Sequence, residues 1–273
     1  MAQLSPAAEL DVDRLAALFT ACYEGYWFPI TLDGPTFASM VEMVDGDLDL
    51  SRVAIVDREP VGIVLVARRG TEGWIGGMGV VARHRRRGIG EAMLRAALDA
   101  ARAAGIERVT LEVLEENLPA RALYERRGFE HVRELEIWSL EADGEEPSEV
   151  DADTAHAWLR ARRTHREPWQ RDDASLAALP DKRGLLVDGA AAVMRVKGGR
   201  VSVLQVGGGR APLQKLLAGA CSLGESLTVL NLPAGHPACS ALEELGGRID
   251  ARQHELALAL SGPIRPTRSA DRL

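Results

Sequence analysis

The chain has 273 residues, 46% hydrophobic and 27% charged, a globular composition whose length exceeds one small α/β core and predicts two domains. Its formal charge of -7, from 33 basic and 40 acidic residues, argues against a general nucleic-acid binder, and no run nears the ~18 apolar residues of a membrane span. Three cysteines (Cys22, Cys221, Cys239) lack metal or disulfide spacing and residues 1–6 lack signal-peptide character, so a reducing cytoplasm, with no metal and no membrane, is expected.

Apolar residues at helical spacing (Val12, Leu15, Leu18, Phe19) predict a helix over 10–23, and a second over 36–44 follows the breaker Asp33-Gly34-Pro35. β-branched runs at 52–57, 60–68 and 73–81 predict an antiparallel meander. An alanine- and leucine-rich helix over 90–104, stopped by Gly105, joins the meander to a strand at 108–114, a βαβ unit. A helix over 119–127, closed by Gly128, and a strand over 129–140 complete the order ααβββαβαβ.

Residues 141–151 are acidic and rich in breakers, as solvated linkers are. They separate a first domain, 1–140, from a second, 152–262, with a tail at 263–273. The second half replays the first, with strands at 184–187, 190–197, 200–206 and 226–232 and helices at 212–220 and 237–245. Asn-Leu-Pro-Ala occurs after a strand in both, at 117–120 and 231–234, and an internal duplication explains both observations.

Chemistry concentrates between the third strand and the long helix, at Arg85-Arg86-Arg87-Gly88-Ile89-Gly90. A glycine-rich turn entering a helix offers unpaired N–H groups and the positive helix end to an anion. Gly88 and Gly90 let the backbone approach a pyrophosphate, and the arginines add charge-assisted contacts. The other reading is a solvated basic turn. A dinucleotide fingerprint would need glycine at Met93, and a Walker loop would need Gly-Lys-Ser/Thr.

With Arg85-x-x-Gly88-x-Gly90 preceded by Gly79-Val80-Val81-Ala82-Arg83-His84, the sequence resembles the GCN5-related N-acetyltransferases (GNAT superfamily) over about residues 10–140. The resemblance implies an α/β (α+β) chain of two tandem GNAT domains, each a mixed, mostly antiparallel sheet flanked by helices. It implies acetyl-coenzyme A as cosubstrate, held by the backbone of Met78, Gly79 and Val80 and by the loop from Arg85, Arg86, Arg87 and Gly88 to Ile89 and Gly90. In that family the strand before the loop splays from its neighbour, and the pantetheine arm lies in the gap.

The segment from Glu112 through Asn117 and Leu123-Tyr124 to Gly128-Phe129 resembles the family's ribosomal-protein and protein N-terminal branch. The resemblance implies Tyr124 as the acid that protonates the thiolate, a role that suits a phenol with its ordinary pKa of about 10. It implies Glu112 as base. Strand alternation puts Thr110, Glu112 and Leu114 on one face, so Glu112 faces the acceptor cleft or is a solvated edge carboxylate. Family members often carry a further glutamate on the strand before the loop, where this chain has only Glu72 at the strand's start. Asn117 contacts the cofactor or caps the next helix, and His84 and His131 read as surface residues.

Tyr23, Tyr26, Trp27, Phe28 and Pro29 form an aromatic cluster in a chain with 4% aromatics. It either walls the acceptor site, with Tyr26, Trp27 and Phe28 on the substrate, or packs the first helix on the sheet. The second half has Gly207-Gly-Gly-Arg-Ala-Pro-Leu-Gln214 in place of the signature and Leu242 at the position aligned with Tyr124. It is therefore expected to be catalytically silent.

The reading is an N-acetyltransferase acting by direct attack of a primary amine, on a small molecule or a peptide N-terminus. The chain is expected to be a monomer whose halves mimic a dimer, or a homodimer. The alternative is a non-catalytic acyl-coenzyme A sensor or assembly module.

Overall fold

Helix α1 (Val12–Cys22) is capped by Asp11, whose Oδ1 accepts from the Arg14 amide at 2.9 Å, and buries Leu15, Leu18, Phe19 and Cys22 along one stripe. The computed structural model describes residues 2–28, 30–145 and 147–260; Pro29 and the tail from 261 lie outside them.

Strands β1 (Gln3–Pro6), β2 (Gly46–Val56), β3 (Glu59–Arg69) and β4 (Glu72–Val80) pair antiparallel in sequence order. The predicted meander is present, with a four-residue edge strand added ahead of it. Between α1 and β2 lies α2 (Gly34–Met43), from which Phe37 is fully buried edge-on to Phe19 at 5.9 Å. Helix α3 (Ile89–Ala103) covers the meander with Ile89, Met93, Leu94, Ala97, Leu98 and Ala101. It packs so close to β3 that a Cβ at Gly62 would stand 2.8 Å from the Met93 Cε.

The remaining elements are β5 (Arg108–Leu114), α4 (Leu118–Arg126), β6 (Glu130–Leu140), β7 (Glu149–Val150), α5 (Ala152–Arg162), α6 (Asp173–Ala178), β8 (Arg183–Val187), β9 (Ala190–Lys197), β10 (Arg200–Gly208), α7 (Arg210–Cys221), β11 (Ser226–Pro233), α8 (Pro237–Glu244) and β12 (Arg248–Ala259). Packing divides the described residues into one unit of 2–28, 30–37, 46–110 and 257–260, and another of 38–45, 111–145 and 147–256. These units are cut differently from the halves expected at 1–140 and 152–262.

Strand pairing in the second unit gives the reason. Its order is β5-β12-β6-β11-β10-β9-β8-β7, so the last strand of each sequence half pairs outside that half. Strand β6 runs antiparallel to β11, with Leu140 opposite Leu227 and Trp138 opposite Val229. The Arg252 carbonyl on β12 accepts from the Glu115 amide just past β5, at 3.0 Å. Trp138, Leu140, Met194, Leu213, Leu216 and Leu217 are among the buried side chains of the core on this sheet. Among the described residues no helix is long and apolar enough to cross a membrane.

Candidate acyl-coenzyme A site

Strand β4 carries a bulge. Leu65 pairs with Gly77 and Val66 with Ile75, which leaves Gly76 as the extra residue. Beyond it, Gly77 and Gly79 lie against α1. A Cβ at Gly79 would sit 2.6 Å from the Cys22 Cβ, and one at Gly77 would meet the Tyr23 Oη at 2.9 Å and the Phe19 ring at 3.0 Å. These glycines let α1 rest on the strand backbone. Met78 and Val80, on the opposite face, are half-buried.

After a short 3-10 turn at Ala82–His84 the chain enters the loop. Arg86 (φ 60°) and Gly88 (φ 77°) are left-handed, and Gly88 is the N-cap of α3 with no side-chain cap. The first-turn N–H groups therefore have no side-chain acceptor and suit an anion. Arg86, Arg87 and Gly88 are exposed, Ile89 is buried under the loop, and Gly90 is half-buried. Nothing lies within 4 Å of the position a Gly88 Cβ would take.

Arg85 behaves differently from its two neighbours. Its Nε donates to the Val80 carbonyl at 2.9 Å, and its Nη2 donates to the carbonyls of Cys22 at 3.1 Å and Glu24 at 3.3 Å. The guanidinium thus ties the end of β4 to the end of α1. Burial pushes the Cys22 thiol up to about 12, despite the opposing effects of hydrogen bonding to the Ile63 backbone and of the nearby Arg85 charge.

The aromatic segment forms a ladder. Phe19 stacks on Tyr23 at 4.7 Å, Tyr23 meets Tyr26 at 5.0 Å, and Tyr26 meets Trp27 at 5.1 Å. It runs from a 3% exposed Phe19 to a 53% exposed Trp27. Its inner rungs pack α1 on the sheet, and Trp27 and Phe28 are the large apolar groups left to solvent. Pro29 of this cluster lies outside the described residues.

The other predicted residues belong to the second unit. Glu112 is half-buried on β5 between buried Leu111 and Val113, with its Oε1 shielded from solvent. Asn117 is the N-cap of α4, its Oδ1 accepting from the Ala120 amide at 3.4 Å. Tyr124 is 6% exposed, with its ring edge-on to Phe129 at 5.7 Å. Its carbonyl accepts from the amides of Arg127 and Phe129, on either side of the left-handed Gly128.

Glu72 sits at the opposite end of β4 from the loop and pairs with Arg108 at 3.8 Å. Eight residues of strand, roughly 25 Å at the usual rise, separate it from Val80. His131, Glu134 and His254 offer ligand atoms within 4.8 Å of one another, a cluster the sequence reading missed. The Arg121 Nη1 lies 3.2 Å from the His254 Nε2, and since arginine can only donate, that nitrogen is the acceptor and the proton sits on Nδ1.

Residues 12–129 match the model of the acetyltransferase (GNAT) family. This segment is a GNAT-family domain. A provisionally assigned acetyltransferase from Pyrococcus horikoshii aligns at TM-score 0.69 and 18% identity, covering 95% of this chain and 89% of that one. A GCN5-related N-acetyltransferase from Sphaerobacter thermophilus aligns at 0.64 and 15%, covering 95% and 96%. A tandem GNAT protein from the clavulanic acid biosynthesis pathway aligns at 0.63 and 14%, covering 97% and 100%. These likenesses show the GNAT fold over nearly the whole chain. No curated protein matches the sequence.

GNAT-family domains transfer an acyl group from acyl-coenzyme A to an acceptor, and the match over residues 12–129 supports that reaction class. The loop fits the phosphates of acyl-coenzyme A: an uncapped helix start, an open face over Gly88, and two exposed arginines beside it.

Proposed function

We propose that the chain is an N-acetyltransferase that moves an acetyl group from acetyl-coenzyme A to a primary amine by direct attack. The observation that carries this reading is the uncapped α3 start behind Arg86, Arg87 and Gly88, inside a segment matching the GNAT family. Bound acetyl-coenzyme A supplies the activated carbonyl and the thiolate leaving group. The α3 amides, Arg86 and Arg87 hold its phosphates, and the backbone of Met78, Gly79 and Val80 lies alongside its arm. Arg85 is a positioning residue, because its guanidinium already holds three carbonyls.

Tyr124 Oη donates the proton that the departing sulfur needs, and the Glu112 carboxylate takes one from the attacking amine, directly or through water. Tyr26, Trp27 and Phe28 line the acceptor's approach. Direct attack is favoured over a cysteinyl intermediate because burial raises the thiols of Cys22 to about 12, Cys221 to about 11 and Cys239 to about 12. Such thiols are inert at neutral pH.

A second reading, an acyl-coenzyme A sensor without turnover, is favoured by one observation: the carboxylate on β4 is Glu72, at the far end and engaged with Arg108. Thiol release from acetyl-coenzyme A, followed against a panel of small amines and peptides, separates the two. Turnover lost in Tyr124→Phe with cofactor binding intact supports the enzyme. Saturable binding with no turnover across the panel supports the sensor and ends the enzyme reading.

A further inference from the structure

The second half carries its own opening strand pair. Strands β10 and β11 run parallel in register from Arg200 opposite Ser226 to Val203 opposite Val229, and β10 then continues to Gly208 against β9. Beyond that register the chain inserts its own residues. Arg171 donates through Nη1 to the Leu230 carbonyl at 2.8 Å, and the Gln205 Nε2 donates to the Arg171 carbonyl at 2.5 Å. The Asn231 Nδ2 donates to the Gln170 Oε1 at 2.8 Å. Arg171 and Glu167, both buried, pair at 3.1 Å. A long extended ligand arm has no room beside β10 there.

A cavity of about 470 Å³ stays open next to this plug, at the end of α5, the glycines before α7 and the start of α8. That is the size of a small-molecule site. Its polar wall presents donors. His236, 9% exposed, lines the cavity. Its Nδ1 accepts from the Ala238 amide at 3.1 Å, so the ring proton is on Nε2. Burial, with the charges of Arg171 and His165, holds the His236 pKa at about 4, which makes that nitrogen an uncharged donor at neutral pH. Arg162 adds a cation, its guanidinium carbon 4.4 Å from the Trp158 ring centre.

The acceptors nearby are already used. Glu167 pairs with Arg171 and with His165 at 3.3 Å, and Asp173 takes Arg163 at 2.6 Å. The apolar wall is Trp158, Leu159 and Val206. We propose that this cavity binds a small organic anion, its carboxylate or phosphate head on Arg162 and the His236 Nε2–H and its apolar body on Trp158, Leu159 and Val206. Acyl-coenzyme A is not its ligand. The plug fills the strand opening, Arg210 at the helix start is paired with Glu244, and Pro212 removes one first-turn amide.

Calorimetric titration of the full chain with phenyl phosphate, phenylacetate, inorganic phosphate and coenzyme A tests this. Phenyl phosphate or phenylacetate should bind once per chain, tighter than inorganic phosphate, and the better of the two identifies the head group. His236→Asn, which keeps an acceptor for the Ala238 amide and loses the Nε2–H, should weaken that binding at least tenfold. Arg162→Met, on the exposed rim, should weaken it too, and neither change should move coenzyme A. The proposal fails if neither aromatic anion binds, if both variants bind as the parent does, or if a second coenzyme A binds and His236→Asn removes it.

Discussion

The Nη2 of Arg85 donates to the backbone carbonyl of Cys22 at 3.1 Å. The first arginine of the loop signature therefore spends its fork on the protein, while Arg86 and Arg87 face solvent. The three arginines separate by experiment.

Arg85→Lys keeps the charge and loses the fork. It should lower stability by about 1 kcal/mol, the net worth of a hydrogen bond or two, and weaken acetyl-coenzyme A severalfold through loss of loop order. Arg86→Ala and Arg87→Ala should leave the urea midpoint unchanged while reducing affinity and its dependence on salt. Equal stability losses at all three positions would refute the division.

Gly79→Ala puts a methyl group 2.6 Å from the Cys22 Cβ. Neither backbone can yield without shifting α1 on β4, so a destabilisation of roughly 1–3 kcal/mol is expected in urea unfolding. Gly88→Ala meets nothing within 4 Å and suffers only from its φ of 77°, so about 1–2 kcal/mol is expected there. Its larger effect should be on cofactor affinity.

Tyr124→Phe keeps the edge contact with Phe129 and removes the hydroxyl. The expected result is a fall in kcat of about a hundredfold or more with an unchanged dissociation constant for acetyl-coenzyme A. Glu112→Gln should likewise lower kcat while leaving acetyl-coenzyme A binding intact. A kcat within twofold of the parent in Tyr124→Phe would remove Tyr124 from the acid role.

His236 has a folded-state pKa lowered from 6.5 to about 4 by burial, Arg171 and His165. The unfolded chain binds a proton at His236 below its ordinary pKa, whereas the folded chain resists until about 4. The contribution is therefore fully present above pH 6.5 and lost as pH falls to 4, on the order of 3 kcal/mol in all. Urea midpoints should drop over that window in the parent and drop less in His236→Asn. Parallel pH profiles for the two proteins would show that His236 titrates normally.

The loop and its helix were legible because glycine, arginine and a 3.6-residue apolar stripe are local signals; the predicted 90–104 helix is Ile89–Ala103. Strand β12 escaped prediction because its charged and polar residues are satisfied by neighbouring elements, strand β6 and helix α4. Glu255 accepts from Arg133 at 2.5 Å, and His254 meets Arg121, so an interior strand lacks the apolar alternation that marks one. Strand β1 was too short to read, and α5 carries a run of arginines and few apolar residues.

The repeated Asn-Leu-Pro-Ala shows how far four identical residues carry. Asn117 caps α4, but Asn231 sits inside β11 at φ 51°, bonded to Gln170 and Gln253, and His236 caps the following helix. The crossing of β6 and β12 was invisible for another reason. A strand's sequence specifies which face is buried and leaves its pairing partner to the rest of the fold.

Calorimetric titration of acetyl-coenzyme A into the full chain and into an Arg86→Ala, Arg87→Ala double variant tests the central claim most directly. The account predicts saturable binding of one molecule per chain and a loss of affinity of at least tenfold in the variant, with the unfolding midpoint unchanged. Absence of binding to the parent, or equal affinity in both proteins, would contradict the assignment of this loop as the phosphate cradle.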